Sequence, residues 1–356
     1  EMFYFCWLVT FAVSARLFLT LYHIPHLALG AEMAQDYLDR TRVYSFSQFF
    51  GTVGSAGFGF LMLTLFFPTT EEFSHGLLNS HGYGPFSIAA AIGIVVSISL
   101  CVAGTAREIP HLPAANFKKV ERLNPRRLLR EITTAFKNHS YRMLVGGLFC
   151  AVILLGIEGT FMVYMYVHFW GMATEHMRWI GPIVLCALPF SVLLAPVLTK
   201  HLDKRRTLIG LSVVIIVCNN MMICLRLFTD WLPENGSAAL LAMLLAFIFT
   251  SGLAGPAIMI TLNSMFADIS DEQELLTHER QEGIIFSARS FAFKAGGAFA
   301  TILGGIGLDL IDFPRGAAPG EVSPDVLFNL GVIAGPATSI IGLAVLAFYF
   351  GYRLDR

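Results

Sequence analysis

Charge is what this sequence has least of. Only 14% of its 356 residues are Asp, Glu, Lys or Arg, and 55% are hydrophobic. A soluble globular domain carries about 25% charge, so this composition is too poor in charge to cover a water-facing surface. The net charge of −1 supplies no basic field for nucleic acid. Catalytic signatures are missing too: the sequence has no nucleophile elbow, no Walker loop, no H-E-x-x-H and no Cys/His metal pattern. Nothing in it argues for an enzyme, a metal or a bound cofactor. The six cysteines, Cys6, Cys101, Cys150, Cys186, Cys218 and Cys224, all fall inside apolar blocks without C-x-x-C spacing. They read as buried thiols. The first apolar block lacks a basic flank and a small-residue cleavage site, and it is too long for a signal peptide.

What the sequence does have is apolar blocks of about 20 residues or more, the length that crosses ~30 Å of hydrocarbon. Each such block must be a helix, because no backbone N–H or C=O can go unpaired in lipid. Nine spans are expected, over 3–27, 43–67, 85–105, 141–169, 179–199, 207–229, 238–266, 284–308 and 325–352. The fold class is therefore all-α membrane protein. Thirty-two glycines agree with this, since small residues let membrane helices approach closely. Those of the second span (Gly51, Gly54, Gly57, Gly59) and the eighth (Gly296, Gly297, Gly304, Gly305, Gly307) read as packing stripes.

Lys and Arg set the orientation. Eighteen of them fall in one set of loops, from Arg40 and Arg42 through the 106–140 stretch to Arg353 and Arg356, and two, Arg178 and Arg315, fall in the other. The rich loops belong in the cytoplasm. The C-terminus is then cytoplasmic and the start of the chain external. The basic stretch 106–140, with Pro110, Pro113 and Pro125, separates three spans from six. The expected organisation is 1–105 as a three-helix group, 106–140 as a cytoplasmic linking loop, and 141–356 as a complete six-helix bundle.

Two stretches carry a family resemblance. Ile24 to Val43 reads IPHLALGAEMAQDYLDRTRV, and Ala267 to Gly297 reads ADISDEQELLTHERQEGIIFSARSFAFKAGG. The first closely resembles the P-x-x-A-L-x-x-E-x-x-x-D-x-x-x-R-T signature of the glycoside–pentoside–hexuronide:cation symporters of the major facilitator superfamily. The second resembles that family's loop between its tenth and eleventh helices, followed by a helix with an inward lysine. The end of the chain, from Ala318 to Arg356, is similar as well. The resemblance implies a major facilitator fold with nine of twelve helices present: the first span here matches the family's fourth helix, and 106–140 joins its two halves. Three further spans are expected to be encoded upstream of Glu1, and without them the chain is not expected to transport.

A charge at mid-membrane is costly, and it usually faces a bundle interior or a water-filled cavity. Lys294 lies well inside its span and matches the family's inward lysine, which sits between sugar and cation sites. Arg16, His23 and His26 share the first span at spacings that bring them near one face. The family's sugar-binding aspartate falls at His23, its neighbouring tryptophan at Leu27 and a galactoside-binding arginine at Gln48, so three sugar-contacting positions depart from the pattern. Arg16 supplies a fixed charge and His23 a titratable one. Glu158, within GIEGTFMVYMY, is a candidate proton or cation site, or a partner for Lys294 or Arg16. The expected substrate and cation pocket is thus Lys294, His23, Arg16, Glu158 and Gln48. Asn219, Asn220 and Asn263 read as interhelical bridges, and Tyr164, Tyr166, His168 and Trp170 as an interfacial aromatic belt. Glu32, Asp36, Asp39, Arg40, Arg42, Asp268, Asp271, Arg280 and Glu282 form an expected cytoplasmic gate of helix-end ion pairs.

Together these readings describe a plasma (inner) membrane symporter driven by H⁺ or Na⁺. It carries a sugar or related small polar solute by alternating access, and it works as a monomer in the lipid bilayer without further cofactor. The alternatives are a lipid or lysolipid carrier of the same fold and a non-transporting membrane sensor or scaffold.

Overall fold

A computed structural model describes residues 2–33, 37–70, 73, 75–111, 133, 136–277 and 282–353. Every extended element among them is a helix, and none is a strand. Three helices come first: α1 Met2–Met33, α2 Tyr37–Leu65 and α3 Ser80–Thr105. After the 106–140 stretch, most of which lies outside the described residues, come α4 His139–Tyr164, the short α5 Thr174–Met177, α6 Ile180–Leu202, α7 Lys204–Phe228, α8 Ala238–Thr277 and α9 Glu282–Leu310. The last two, α10 Pro324–Val332 and α11 Thr338–Gly351, are joined by a π turn over Ile333–Ala337. Pro336 sits in that turn and has no N–H to continue an α ladder.

Eight of the described segments are long and apolar enough to cross a membrane. The second expected span lies on α2, whose apolar stretch is described over Phe49–Leu65. The helix is 29 residues long, about 43 Å at 1.5 Å per residue.

The chain divides into two compact units. One comprises 1–55 and 85–121, the other 56–84 and 122–356, so the boundary runs through α2. In the first unit no residue of the apolar stretches of α1 and α3 is buried. Phe3, Trp7, Phe18, Val95 and Leu100 are all exposed, as expected of side chains that use lipid as their solvent. A polar contact described between α1 and α3 is that of His26 Nδ1, 3.5 Å from Cys101 Sγ, and the His26 ring stacks on Tyr22 with centroids 5.4 Å apart.

The second unit is a packed bundle with two apolar clusters. Tyr141, Leu148, Leu208, Leu262, Phe266 and Tyr349 fill the end where α4 begins. Ile157, Phe161, Met165, Trp170, Met222, Leu240 and Leu330 fill the end where α4 stops. Glycine makes the tightest contacts. Gly147 receives the ring of Tyr349, and Gly156 receives the Cβ of Ala300. On α9, Gly296 lies against Val152, Gly304 against Thr160 and Gly307 against Phe161. The expected stripe on this helix is therefore split. Gly297 and Gly305, and Gly51, Gly54, Gly57 and Gly59 of α2, have no neighbour within 4 Å of a would-be Cβ among the described residues.

Candidate functional site

The α4–α9 contact uses Phe149, Val152, Gly156 and Thr160 of α4 and Gly296, Ala300, Gly304 and Gly307 of α9. At about 100° per residue, Lys294 falls about 125° around α9 from the middle of that seam, and Glu158 falls opposite it on α4. The two residues point away from the surface on which their helices meet.

Lys294 is exposed, and among the described residues it has no hydrogen-bond or ion-pair partner. Its face of α9 carries Ser287, Ser290, Ala298 and Thr301, which are small or polar. The neighbouring face carries Phe291, Phe299, Ile302 and Ile306, all exposed and fit for lipid. The lysine thus stands on the polar side of an amphipathic span. Arg16 is also exposed, on α1. The side chains of His23 and Gln48 lie outside the described residues.

Glu158 has a different setting. Its Oε2 accepts a hydrogen bond from Asn219 Nδ2 at 3.0 Å, and Asn219 Oδ1 accepts one from Ser251 Oγ at 3.1 Å. The chain Ser251→Asn219→Glu158 ties α8 to α7 to α4. It lines a cavity of about 380 Å³ whose other walls include Met162, Met165, Tyr166, Trp170, Met222 and Phe247. Asn219 is the interhelical bridge that its residue type suggests. Its partnership with Glu158 and Ser251 is not legible from spacing, because the three come from three helices.

Trp170 and Tyr166 depart from the belt reading. Trp170 is buried, and both rings line this cavity. The cause is local: α4 ends in a π turn over Met165–Phe169, closed by a Trp170 N–H to Met165 C=O bond of 2.8 Å. The wider turn brings the tryptophan in under Arg226, whose guanidinium carbon is 5.7 Å from the ring centre. Arg226 also donates to the Pro233 carbonyl, so it caps the bundle rather than trailing into the interface.

At the same end of the bundle, the segment between α2 and α3 docks on α5. Thr69 donates to Glu175 Oε1 from both its backbone N–H, at 2.9 Å, and its hydroxyl. The Gly76 N–H donates to Thr174 Oγ1 at 2.9 Å, and His75 Nδ1 lies 3.3 Å from the same hydroxyl. His75 is buried, and burial pushes its pKa below the ordinary histidine value. A second cavity of about 850 Å³, lined by His75, Tyr83, His168, Asp309 and Arg315 among others, adjoins this contact. None of these docking residues stands out in the sequence, since Thr, His and Glu in a loop are ordinary.

Of the expected gate, Asp268 has a described partner: both its carboxylate oxygens accept from Lys204 Nζ, at 2.8 and 2.6 Å, linking α8 to the start of α7. Nearby, Asn138 caps α4 by accepting from the Tyr141 N–H at 3.1 Å and donates to Glu272 at 2.6 Å. Asp36 and Arg280, and the side chains of Glu32, Asp39, Arg40, Arg42, Asp271 and Glu282, lie outside the described residues. Among the described residues no group of His, Cys, Asp and Glu is placed to hold a metal ion.

The profile of a family described as MFS/sugar transport protein matches residues 2–356. Two curated relatives are both named uncharacterized symporters. One, from Synechocystis sp., is 25% identical over 229 residues, covering 63% of this chain and 40% of its own length. The other, from Bacillus subtilis, is 27% identical over 295 residues, covering 82% of this chain and 58% of its own length. The chain thus spans about half the length of the curated relatives it matches. The helical architecture, the eight membrane-length apolar helices among the described residues and a profile match over nearly every residue agree: the chain belongs to the MFS/sugar transport protein family.

Proposed function

We propose that the protein to which this chain belongs is a secondary transporter that couples H⁺ or Na⁺ movement to symport of a sugar or related small polar solute. Alternating access is the mechanism. The observation that carries the reading is Lys294, a lone ammonium without a described partner on the small, polar face of an otherwise lipid-suited helix. A cation held there at mid-span costs at least ~2.5–3.5 kcal/mol if it faces lipid, so its place is on an aqueous substrate path. In that role it anchors the polar solute or balances carboxylates at the cation site. Arg16, His23 and Gln48 are the further pocket candidates. Glu158, expected in the same pocket, lines the cavity shared by α4, α7 and α8. The bias of Lys and Arg supports a plasma-membrane protein with its C-terminus in the cytoplasm, working as a monomer.

The test is cation-gradient-driven uptake by the full-length protein in proteoliposomes, across a panel of sugars, uronic acids and lysolipids. Lys294→Ala should lower uptake at least tenfold while leaving the amount of folded protein unchanged, and Lys294→Arg should recover part of it. Uptake unaffected by Lys294→Ala would remove the lysine from the mechanism. Gradient-independent movement of lysolipid alone would replace symport of a polar solute with lipid carriage.

A further inference from the structure

The Glu158 cavity lies among α4, α6, α7, α8 and the π turn that follows α10, and it opens beside the exposed Leu155, Gly159 and Met162. Its walls are hydrocarbon, thioether and ring: Leu155, Met162, Met165, Trp170, Met222 and Phe247. One carboxylate breaks this surface. The one hydrogen bond described for it comes from a neutral amide, Asn219, and among the described residues no cation forms an ion pair with it. Arg226 is held over the Trp170 ring and on the Pro233 carbonyl. An ionised carboxylate generally has about four acceptor positions, so most of those on Glu158 are left for a ligand.

The direction of the relay matters. Ser251 donates to Asn219 Oδ1, and this turns the amide so that its NH₂ faces Glu158. A donor aimed at the carboxylate holds it at a fixed angle. The relay therefore positions a carboxylate at the edge of an apolar space. That space, of about 380 Å³, is within the ~300–1,000 Å³ range of small-molecule pockets and larger than a bare ion needs. A hard metal cation wants about six oxygens. Here Glu158, Asn219, Ser251 and the Tyr166 hydroxyl supply the side-chain oxygens, fewer groups than six, and the rest of the lining is apolar, aromatic or thiol. An organic cation satisfies both parts at once: its ammonium meets the carboxylate, and its hydrocarbon or aromatic body meets methionine and ring faces.

We propose that the cavity lined by Glu158, Asn219 and Ser251 is a binding site for a small lipophilic amine in its protonated form, with Glu158 as the counter-charge. The site belongs to the bundle and does not depend on the transport reading. Glu158 faces away from α9, the helix that carries Lys294.

The experiment uses the purified full chain in detergent and compares two probes by calorimetry at pH 7.5. These are 1-(dimethylaminomethyl)naphthalene, which is cationic, and 1-isobutylnaphthalene, its neutral isostere. The amine should bind saturably at one site and at least tenfold more tightly than the isostere. Glu158→Gln keeps an acceptor for Asn219 and should erase that preference. A second variant, Gly159→Leu, places a side chain in the same cavity at a glycine whose would-be Cβ has nothing within 4 Å, and it should abolish binding of both probes. Equal affinity for amine and isostere would mean that Glu158 is protonated and the site uncharged, which overturns the proposal. So would an amine preference that survives Glu158→Gln, or amine binding that survives Gly159→Leu, which also decides the matter should Glu158→Gln fail to fold.

Discussion

At the scale of single residues, glycine and buried polar groups decide most. Gly147 and Gly305 are the same residue type in similar apolar settings, yet one faces the Tyr349 ring and the other faces nothing within 4 Å. Gly147→Ala should destabilise the protein by about 1–3 kcal/mol, the usual cost of overpacking. Gly305→Ala should be neutral or slightly stabilising, since alanine is the better helix former. Thermal unfolding of the two purified variants checks the contrast. The Lys204–Asp268 pair is partly exposed on both sides, so its loss should cost no more than ~1 kcal/mol. Lys294, Arg16 and Glu158 were legible in the sequence because a charge inside an apolar run has few bland explanations. The Ser251 and Asn219 partners of Glu158 were not: a serine in an apolar helix most often bonds its own backbone, as Ser212 does with the Leu208 carbonyl here.

At the scale of elements, helix ends and their loops hold the bundle in register. Asn138 caps α4 and reaches Glu272 of α8 with the same side chain, so one residue sets both the start of a helix and its distance from another. At the other end, the His75–Gly76 contact with Thr174 fastens the α2–α3 segment. Burial lowers the His75 pKa; the neighbouring Glu175 charge opposes that shift, and His168 adds to it. The docked segment therefore binds fewer protons than a released one. Docking should be fully held above about pH 6.5, the free histidine value, and should weaken as pH falls from there through the lowered value. Amide exchange at Gly76, corrected for its intrinsic pH dependence, should lose protection as pH drops below ~6. His75→Gln should flatten that dependence. Protection that stays constant from pH 8 to pH 5 would show that His75 is not what titrates.

At the scale of the whole molecule, orientation is a matter of charge and is directly measurable. Arg206 and Arg315 are both exposed, and they lie in loops assigned to opposite sides. In intact cells a membrane-impermeant maleimide should label Arg315→Cys and spare Arg206→Cys, both in a cysteine-free background. The reverse pattern would invert the topology. Composition, span length and signature residues are enough to read the chain as a set of membrane helices, roughly where each begins, and which family it resembles. Span length and backbone hydrogen bonding in lipid leave no other solution, and these are local, one-dimensional constraints. Which helix faces which emerges from packing in three dimensions. It seats α4 on α9 through small residues, closes Glu158 into a relay with Asn219 and Ser251, turns Trp170 inward at a π turn, and fastens a loop onto Thr174 and Glu175. In an apolar helix hydrophobicity is nearly uniform around the axis, so no amphipathic pattern marks the buried side. Partner choice then rests on shape and on single hydrogen bonds between residues far apart in the chain.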